Sequence, residues 1–394
     1  MNGFEHDLSE RLRVLRDNGL LRELRRIGSA QGRTIQFNGR TLLNFSSNDY
    51  LGLATHPALQ EAAVRAMRDF GVGSGASRLV CGSLQPHHEL EEAIAAFKGA
   101  QAALTFSSGY ATAVGTICAL LEKDDVIIID KLVHACCVDA ARQSGARLRV
   151  FGHNDLADLE ETLQWALDHH ASSRILIVTE SVFSMDGDTA PLREIVEIKD
   201  RFGAWLLLDE AHATGLLGNN GRGLADELGV AGRVEVQMGT LGKAFGSAGG
   251  YVCGSRTLID FLVNKARSFI FSTAPTVPQV AAATAGVGIC SSAEGDSLRA
   301  SLQSRIAEVA TAKASGALRG DAARPAIMPV ILGDETRTME AAAVLREQGL
   351  FIPAIRFPTV ARGGARLRVT LTAGHTVEDV ARLNDALAAL SVTP

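Results

Sequence analysis

Short apolar runs alternate with helix-length segments between residues 103 and 254, and this alternation constrains the fold more than any other feature of the chain. The runs fall at 103–106, 126–130, 147–151, 175–179, 205–209, 234–238 and 250–253. Regular strand–helix alternation of this kind is typical of a mainly parallel sheet with helices on both faces. We therefore predict an α/β domain built around these seven strands.

The rest of the chain predicts a second, smaller unit. Leucines at helical spacing indicate a helix within residues 8–26, and strand-like pieces close the chain at 326–332, 351–355 and 366–371. A chain of 394 residues suits two domains. We predict an N-terminal segment (1–45) that joins the small domain, a large α/β domain (46–280), and a small α+β domain (281–394).

Charge and cysteine usage narrow the possible partners. The net charge of −5 gives no general reason to bind nucleic acid. The uncharged segments 99–121 and 269–293 are interrupted by polar residues or prolines, so neither suits a membrane helix. Six cysteines without a C-x-x-C pair, and a start without a secretory signal, predict a cytoplasmic protein with reduced thiols. Because no H-E-x-x-H or comparable ligand cluster occurs, we expect no metal.

Polar residues follow the predicted strands at the point where each one ends. In open α/β sheets, ligands bind beyond the carboxyl ends of the strands. The residues that the sequence places there are Ser108, Gly109, Tyr110, His134, Ser181, Asp209, His212 and Lys243. We therefore expect a ligand site at this edge of the sheet.

Lys243 closes the glycine-rich stretch Gly239-Thr-Leu-Gly-Lys243, while Asp209 ends an apolar run and His212 follows it. An amine, a carboxylate and an imidazole suit pyridoxal 5′-phosphate (PLP), which takes a lysine Schiff base and an acidic partner for its pyridinium. Alone, Lys243 could be a surface lysine and Asp209 a helix N-cap; their combination favours the cofactor. A P-loop is excluded, since Gln237 replaces its first glycine.

Two further groups complete the predicted PLP site. His134 and His212 are placed to stack on the cofactor ring and to hydrogen-bond its phenolic oxygen, although a lone histidine is more often a core residue. Gly109 and Tyr110 lie at a predicted helix start, where backbone N–H groups bind phosphate. Thr240 offers a hydroxyl to the same anion.

Several longer motifs resemble one family, the α-oxoamine synthases, which are fold-type I PLP enzymes. The motifs are Asn44-Phe-Ser-Ser-Asn-Asp-Tyr-Leu-Gly52, Phe106-Ser-Ser-Gly-Tyr110, Glu180-Ser-Val-Phe-Ser-Met-Asp-Gly187, Asp209-Glu-Ala-His-Ala-Thr-Gly215, Gly239-Thr-Leu-Gly-Lys243 and Arg366-Leu-Arg-Val-Thr-Leu371. The resemblance implies that Lys243 holds PLP, that Asp209 pairs with its ring nitrogen and that Ser181 lines it. It also implies that Asn48 and Arg368 face the amino-acid carboxylate, and that Arg22 and Thr359 line the acyl path.

The implied reaction joins L-alanine to pimeloyl-CoA or pimeloyl-acyl carrier protein with loss of CO2, as in the biotin branch of this family. The resemblance also implies a homodimer, in which Ser272 or Thr273 reaches the partner's phosphate. Arg78-Leu79 departs from some biotin-branch members, which carry Gly-His there. A sister enzyme such as 2-amino-3-oxobutyrate CoA ligase, a PLP aminotransferase and a non-catalytic binding subunit are the alternatives.

Overall fold

A computed structural model describes residues 3–312 and 326–390. Its strands are β1 (Thr34–Phe37), β2 (Arg40–Asn44), β3 (Ala102–Phe106), β4 (Val126–Asp130), β5 (Arg147–Phe151), β6 (Ile175–Glu180), β7 (Trp205–Asp209), β8 (Val236–Thr240), β9 (Gly250–Gly254), β10 (Ile327–Gly333), β11 (Leu350–Phe351), β12 (Ala354–Ile355) and β13 (Ala365–Thr370). Its helices are α1 (Gly3–Asp17), α2 (Pro57–Phe70), α3 (Gln85–Lys98), α4 (Gly109–Leu120), α5 (Ala135–Ser144), α6 (Leu156–His170), α7 (Leu192–Phe202), α8 (Leu224–Glu227), α9 (Arg256–Lys265), α10 (Arg267–Ile270), α11 (Val277–Cys290), α12 (Ala293–Ala312), α13 (Glu335–Glu347) and α14 (Val377–Leu390).

The seven predicted strands form one sheet in the order β3-β9-β8-β7-β6-β4-β5. β9 runs antiparallel to both of its neighbours, and the other pairings are parallel. Alternate side chains of β4 enter two different cores: Ile128 packs with residues of α3, α6, α7 and α11, and Ile129 packs with residues of α4, α5 and α9. Helices therefore cover both faces, and the predicted fold class is confirmed.

Two smaller three-stranded sheets lie outside the main one. One has the order β10-β13-β12, and the other has the order β1-β2-β11. In the second sheet Leu43 of β2 pairs in parallel with Leu350 of β11. This pairing attaches the N-terminal segment to the C-terminal part of the chain. The predicted domain boundary at residue 280 falls inside α11, which packs on α2 and α3.

Three expectations about element ends need correction. The N-terminal helix covers Gly3–Asp17 rather than extending to residue 26, because Gly19 follows in a left-handed conformation (φ +66°). The strand expected at 234–238 is shifted to Val236–Thr240. The strand expected at 351–355 is two short strands, β11 and β12, because Pro353 lies between them and lacks the N–H that a ladder requires.

Among the helices of residues 3–312 and 326–390, none is both long enough and apolar enough to cross a membrane. All six cysteines are free thiols.

Candidate active site

Lys243 lies in the turn after β8, and its amine meets a histidine. Its Nζ lies 2.8 Å from Nε2 of His212, and Nδ1 of the same ring lies 2.5 Å from the Tyr50 hydroxyl. Burial, together with the charges of Lys243 and Arg368, holds the pKa of His212 well below its usual range. Burial also lowers the pKa of Lys243 to about 8, although nearby carboxylates oppose this shift. The site therefore pairs a neutral imidazole with an amine that deprotonates far more readily than an ordinary lysine.

Two buried carboxylates lie side by side at the carboxyl ends of β6 and β7. Glu180 is directly opposite Asp209 in the parallel register, and Asp209 accepts a 2.9 Å hydrogen bond from the Ala211 N–H. Burial raises the pKa of both, and the Asp209 charge helps to raise that of Glu180 to about 8. Within residues 3–312 and 326–390, neither forms an ion pair with a lysine or arginine within 4.0 Å. A bound cation would therefore favour the ionised form of both carboxylates.

His134 caps the N-terminus of α5, the helix that follows β4. Its Nδ1 accepts the Cys136 backbone N–H at 3.2 Å and lies 3.0 Å from the Cys136 sulfur. The backbone N–H of His134 donates to the Glu180 carboxylate. The hydrogen bond with Cys136 raises the pKa of His134 despite burial. Hydrogen bonds from Cys137 and His134 lower the pKa of the Cys136 thiol to about 6. His134 is thus held rigidly beside the two carboxylates.

The start of α4 has the form of a phosphate cradle. The Ser108 hydroxyl caps the Ala111 N–H at 3.1 Å, while the N–H groups of Gly109 and Tyr110 belong to the first turn and have no partner within the helix. A Cβ built on Gly109 would lie 3.8 Å from Cβ of Thr240, which places the threonine next to this turn. At Gly250 a Cβ would lie 2.8 Å from the Gly109 backbone, so only glycine allows this approach. The Tyr110 hydroxyl instead contacts Asp139, at 3.0 Å, so any phosphate contact must come from its backbone.

Arg368 reaches the same site from β13. Its Nη1 donates to Oδ1 of Asn48 at 3.1 Å, and its Nε donates to the Ser184 carbonyl at 2.7 Å. Asn48 Oδ1 also accepts from the Tyr50 hydroxyl at 3.3 Å, and Tyr50 contacts His212. A continuous chain of hydrogen bonds thus joins Arg368 to Lys243, although the two come from different sheets.

The remaining predicted residues lie around this centre. The Ser181 hydroxyl donates to the Asp209 carbonyl at 3.1 Å. Arg22 donates to Thr359 at 3.3 Å on an exposed surface, but neither shares a described hydrogen bond with the Lys243 group. Thr273 pairs with Ser77, and Ser272 lies between Thr273 and the exposed Phe271. The roles of these residues stay predictions.

Sequence reasoning missed Tyr50, Glu180 and Cys136. Tyr50 and Glu180 stand in motifs that were noted, and Glu180 ends a strand, which is the signal that could have identified it. Cys136, Cys137 and Asp209 also place ligand-type atoms within 4.8 Å of one another. Arg78 is 6% exposed and donates to Glu91 at 2.8 and 3.0 Å, so its guanidinium is held in a buried ion pair.

A cavity of about 650 Å³ opens at the opposite edge of the sheet, lined by the strand-start residues Trp205 and Val236. It contains none of the predicted site residues. The site is therefore defined by its side chains rather than by this cavity.

Comparison with known proteins agrees with this geometry. A sequence profile for class I and II aminotransferases matches residues 40–387. A serine palmitoyltransferase from S. paucimobilis, solved with a bound PLP–myriocin aldimine, superposes with a TM-score of 0.91 and 28% identity over 98% of this chain and 96% of that one. Fold and site together define a fold-type I, PLP-dependent transferase.

Sequence relatives narrow this class. An 8-amino-7-oxononanoate synthase from Anaeromyxobacter sp. (strain K) is 49% identical over 96% of this chain and 93% of its own length. Another from Citrifermentans bemidjiense is 46% identical over 93% of each chain. The chain belongs to the class I and II aminotransferase family and, within it, to the 8-amino-7-oxononanoate synthases.

The residues present fit PLP. The site offers an amine with a lowered pKa for the aldehyde, a buried Asp209 carboxylate for the pyridinium, and a helix start beside Thr240 for the phosphate. Each of these groups lies at the carboxyl edge of one sheet.

Proposed function

We propose that this chain catalyses the PLP-dependent decarboxylative condensation of L-alanine with a pimeloyl thioester. The products are 8-amino-7-oxononanoate, CO2 and a free thiol, in a step of biotin biosynthesis. The observation that carries the proposal is the joining of Arg368 and Asn48 to Lys243, in a chain 44–49% identical to the synthases of this name. An amino-acid carboxylate can thus be held beside the reacting amine.

When bound, PLP supplies an aldehyde that captures amino groups and a cationic ring that withdraws electrons from the adjacent carbon. Lys243 would hold the aldehyde, and Asp209 would pair with the ring nitrogen, where an opposite charge favours the protonated form. His134 would stack on the ring and His212 would hydrogen-bond its phenolic oxygen. The backbone of Gly109 and Tyr110 and the Thr240 hydroxyl would bind the phosphate, while Ser181 would line the cofactor.

Lys243 has the properties of a base for the alanine Cα proton. Its pKa of about 8 leaves a useful neutral fraction near physiological pH. His212 lies 2.8 Å from Nζ and stays neutral. When Lys243 takes up a proton, its positive charge is therefore not repelled by a charged imidazole. Nε and Nη1 of Arg368 donate to Ser184, Asn48 and Thr370, and Nη2 remains to donate to the alanine carboxylate.

The acyl thioester approaches from the solvent side, where Arg22 and Thr359 meet at an exposed rim.

We further propose a homodimer. Phe271 and Val72 are each 70% exposed and Val80 is 78% exposed, and the Ser77–Thr273 bridge sets their segments side by side. Contiguous exposed apolar residues are typical of an interaction surface. Six free thiols favour a reducing compartment such as the cytoplasm.

The test is a product assay with the PLP-loaded protein. L-alanine plus pimeloyl-CoA should yield 8-amino-7-oxononanoate by mass spectrometry, with equal amounts of CO2 and free CoA. Pimeloyl-acyl carrier protein is run in parallel, and Lys243→Ala is the control. Faster turnover of glycine with acetyl-CoA would favour the sister ligase. Pyruvate formation with a keto-acid acceptor and no CO2 would instead indicate an aminotransferase.

A further inference from the structure

One loop carries a contact that orients Arg368. Residues 181–191 connect β6 to α7, and the Ser184 carbonyl of this loop accepts the Arg368 Nε–H at 2.7 Å. Arg366 donates to the Met185 carbonyl at 3.1 Å and to Asp186 at 2.6 Å. At Gly187 (φ +68°) a Cβ would lie 2.2 Å from the Ile327 carbonyl, so the loop backbone presses directly on β10. The position of Arg368 therefore depends on the position of this loop.

The far side of the loop is held by a histidine that the reaction does not use. Asp188 accepts from His153 Nε2 at 2.8 Å and from the Asn154 amide at 3.3 Å. The His153 ring also packs edge-on against Phe183, with centroids 4.4 Å apart. His153 thus contacts the loop at two points, one polar and one aromatic.

The other ring nitrogen of His153 reaches the end of β4. Nδ1 lies 3.0 and 3.2 Å from the two oxygens of Asp130, which is fully buried. The same carboxylate accepts the Leu132 N–H at 2.7 Å and so shapes the turn that leads to His134. One imidazole therefore bridges the segment that carries His134 and the loop that orients Arg368.

An imidazole with a carboxylate on each nitrogen donates both hydrogen bonds only when it is doubly protonated. Burial lowers the pKa of His153, but hydrogen bonds to Asp130 and Asp188 outweigh this and raise it to about 10. The His153 imidazole is consequently cationic at neutral pH. Its hydrogen bonds to both carboxylates are charge-assisted, which is the stronger class of hydrogen bond.

We propose that His153 is a positioning residue for the amino-acid substrate: by bridging Asp130 and Asp188 it holds loop 181–191 where Arg368 can bind the substrate carboxylate. This rests on the proposed function, because it assumes that Arg368 binds that carboxylate. The described contacts of His153 are with Asp130, Asp188, Asn154 and Phe183, and none of them is with Arg368 or Lys243.

Two near-isosteric variants of His153 test its hydrogen bonds to Asp130 and to Asp188 separately. In His153→Asn the amide can replace Nδ1 toward Asp130 but does not reach Asp188, and in His153→Gln it can replace Nε2 toward Asp188. Asp188→Asn removes the charge while keeping an acceptor. His169→Asn is the matched control, since His169 is exposed on α6 and its described contacts are with Trp165 and His170. All four are measured as PLP-loaded proteins.

For His153→Asn we expect the KM for L-alanine to rise on the order of tenfold, the size of one charge-assisted hydrogen bond. The KM for pimeloyl-CoA and the affinity for PLP should not change, and His153→Gln should show a smaller rise. Amide hydrogen exchange of residues 181–191 should be faster in His153→Asn than in the wild type or the His169→Asn control.

Several outcomes would overturn the inference. One is faster exchange of the loop with an unchanged alanine KM. Another is a lower kcat and melting temperature with both KM values unchanged, which would mean that His153 is merely structural. Unchanged loop exchange would also contradict it. If the wild type fails to use alanine and pimeloyl-CoA, the proposed function fails, while the exchange measurement still decides whether His153 holds the loop.

Discussion

Replacing Lys98 with methionine removes the cationic half of a buried ion pair directly behind Asp209. The Lys98 and Glu210 side chains are 2% and 0% exposed. Lys98 donates to Glu210 and to the Arg222 carbonyl, and the other Glu210 oxygen accepts the Ala225 N–H at 2.9 Å. Methionine fills a similar volume but leaves the Glu210 carboxylate without its cation.

The magnitude follows from the burial of both partners. Removing one partner of a fully buried ion pair costs about 3–5 kcal/mol. Unfolding entropy of about 2.1 cal/mol/K per residue gives about 0.8 kcal/mol/K for a chain of 394 residues. The Lys98→Met protein should therefore melt about 4–6 °C below the wild type.

Thermal unfolding of the PLP-saturated proteins measures this, and two controls isolate the cause. Lys199→Met removes an equally buried lysine (4% exposed) whose partners Asp200 and Glu235 are 41% and 39% exposed. Water can solvate those carboxylates, so the expected cost is only about 0–1 kcal/mol. The double variant, Lys98→Met combined with Glu210→Gln, should recover much of the lost melting temperature, because no unpaired carboxylate then remains buried. A single variant as stable as the wild type, or a double variant no better than the single, would refute the reasoning.

Three further predictions concern the cofactor site. PLP should couple to the cofactor-free protein at a rate that rises with pH and levels off above about 8, since the neutral Lys243 amine reacts and its pKa is about 8; a rise that continues to pH 10 would contradict this. Asp209→Asn should lower kcat on the order of 100-fold at equal PLP occupancy, because a neighbouring charge shifts a pKa by about 1–3 units; steady-state rates with unchanged kcat would exclude the role. Arg368→Lys should raise the KM for L-alanine about tenfold or more, because lysine keeps the charge but loses the planar fork; an unchanged KM would place the substrate carboxylate elsewhere.

The sequence alone determined the strands of the main sheet and which reactive residues follow them. Buried strands such as β4 consist of consecutive apolar residues, so their positions are written locally in the chain. Once these strands are parallel, their carboxyl ends must share one edge, and this brings Asp209, His212 and Lys243 together without knowledge of any long-range contact. The motifs around these residues are also local stretches of sequence, so they carried the family resemblance without any tertiary information.

Only the tertiary structure decided which side chains meet across long separations. The Asn48–Arg368 contact joins residues 320 positions apart, and it exists because the Thr370 N–H donates to the Phe45 carbonyl while the small sheet packs on loop 181–191. The register of β6 against β7 placed Glu180 beside Asp209, and the approach of that loop to β4 enclosed His153 between two carboxylates. Register and packing depend on the simultaneous fit of distant surfaces, which no local pattern of residues specifies.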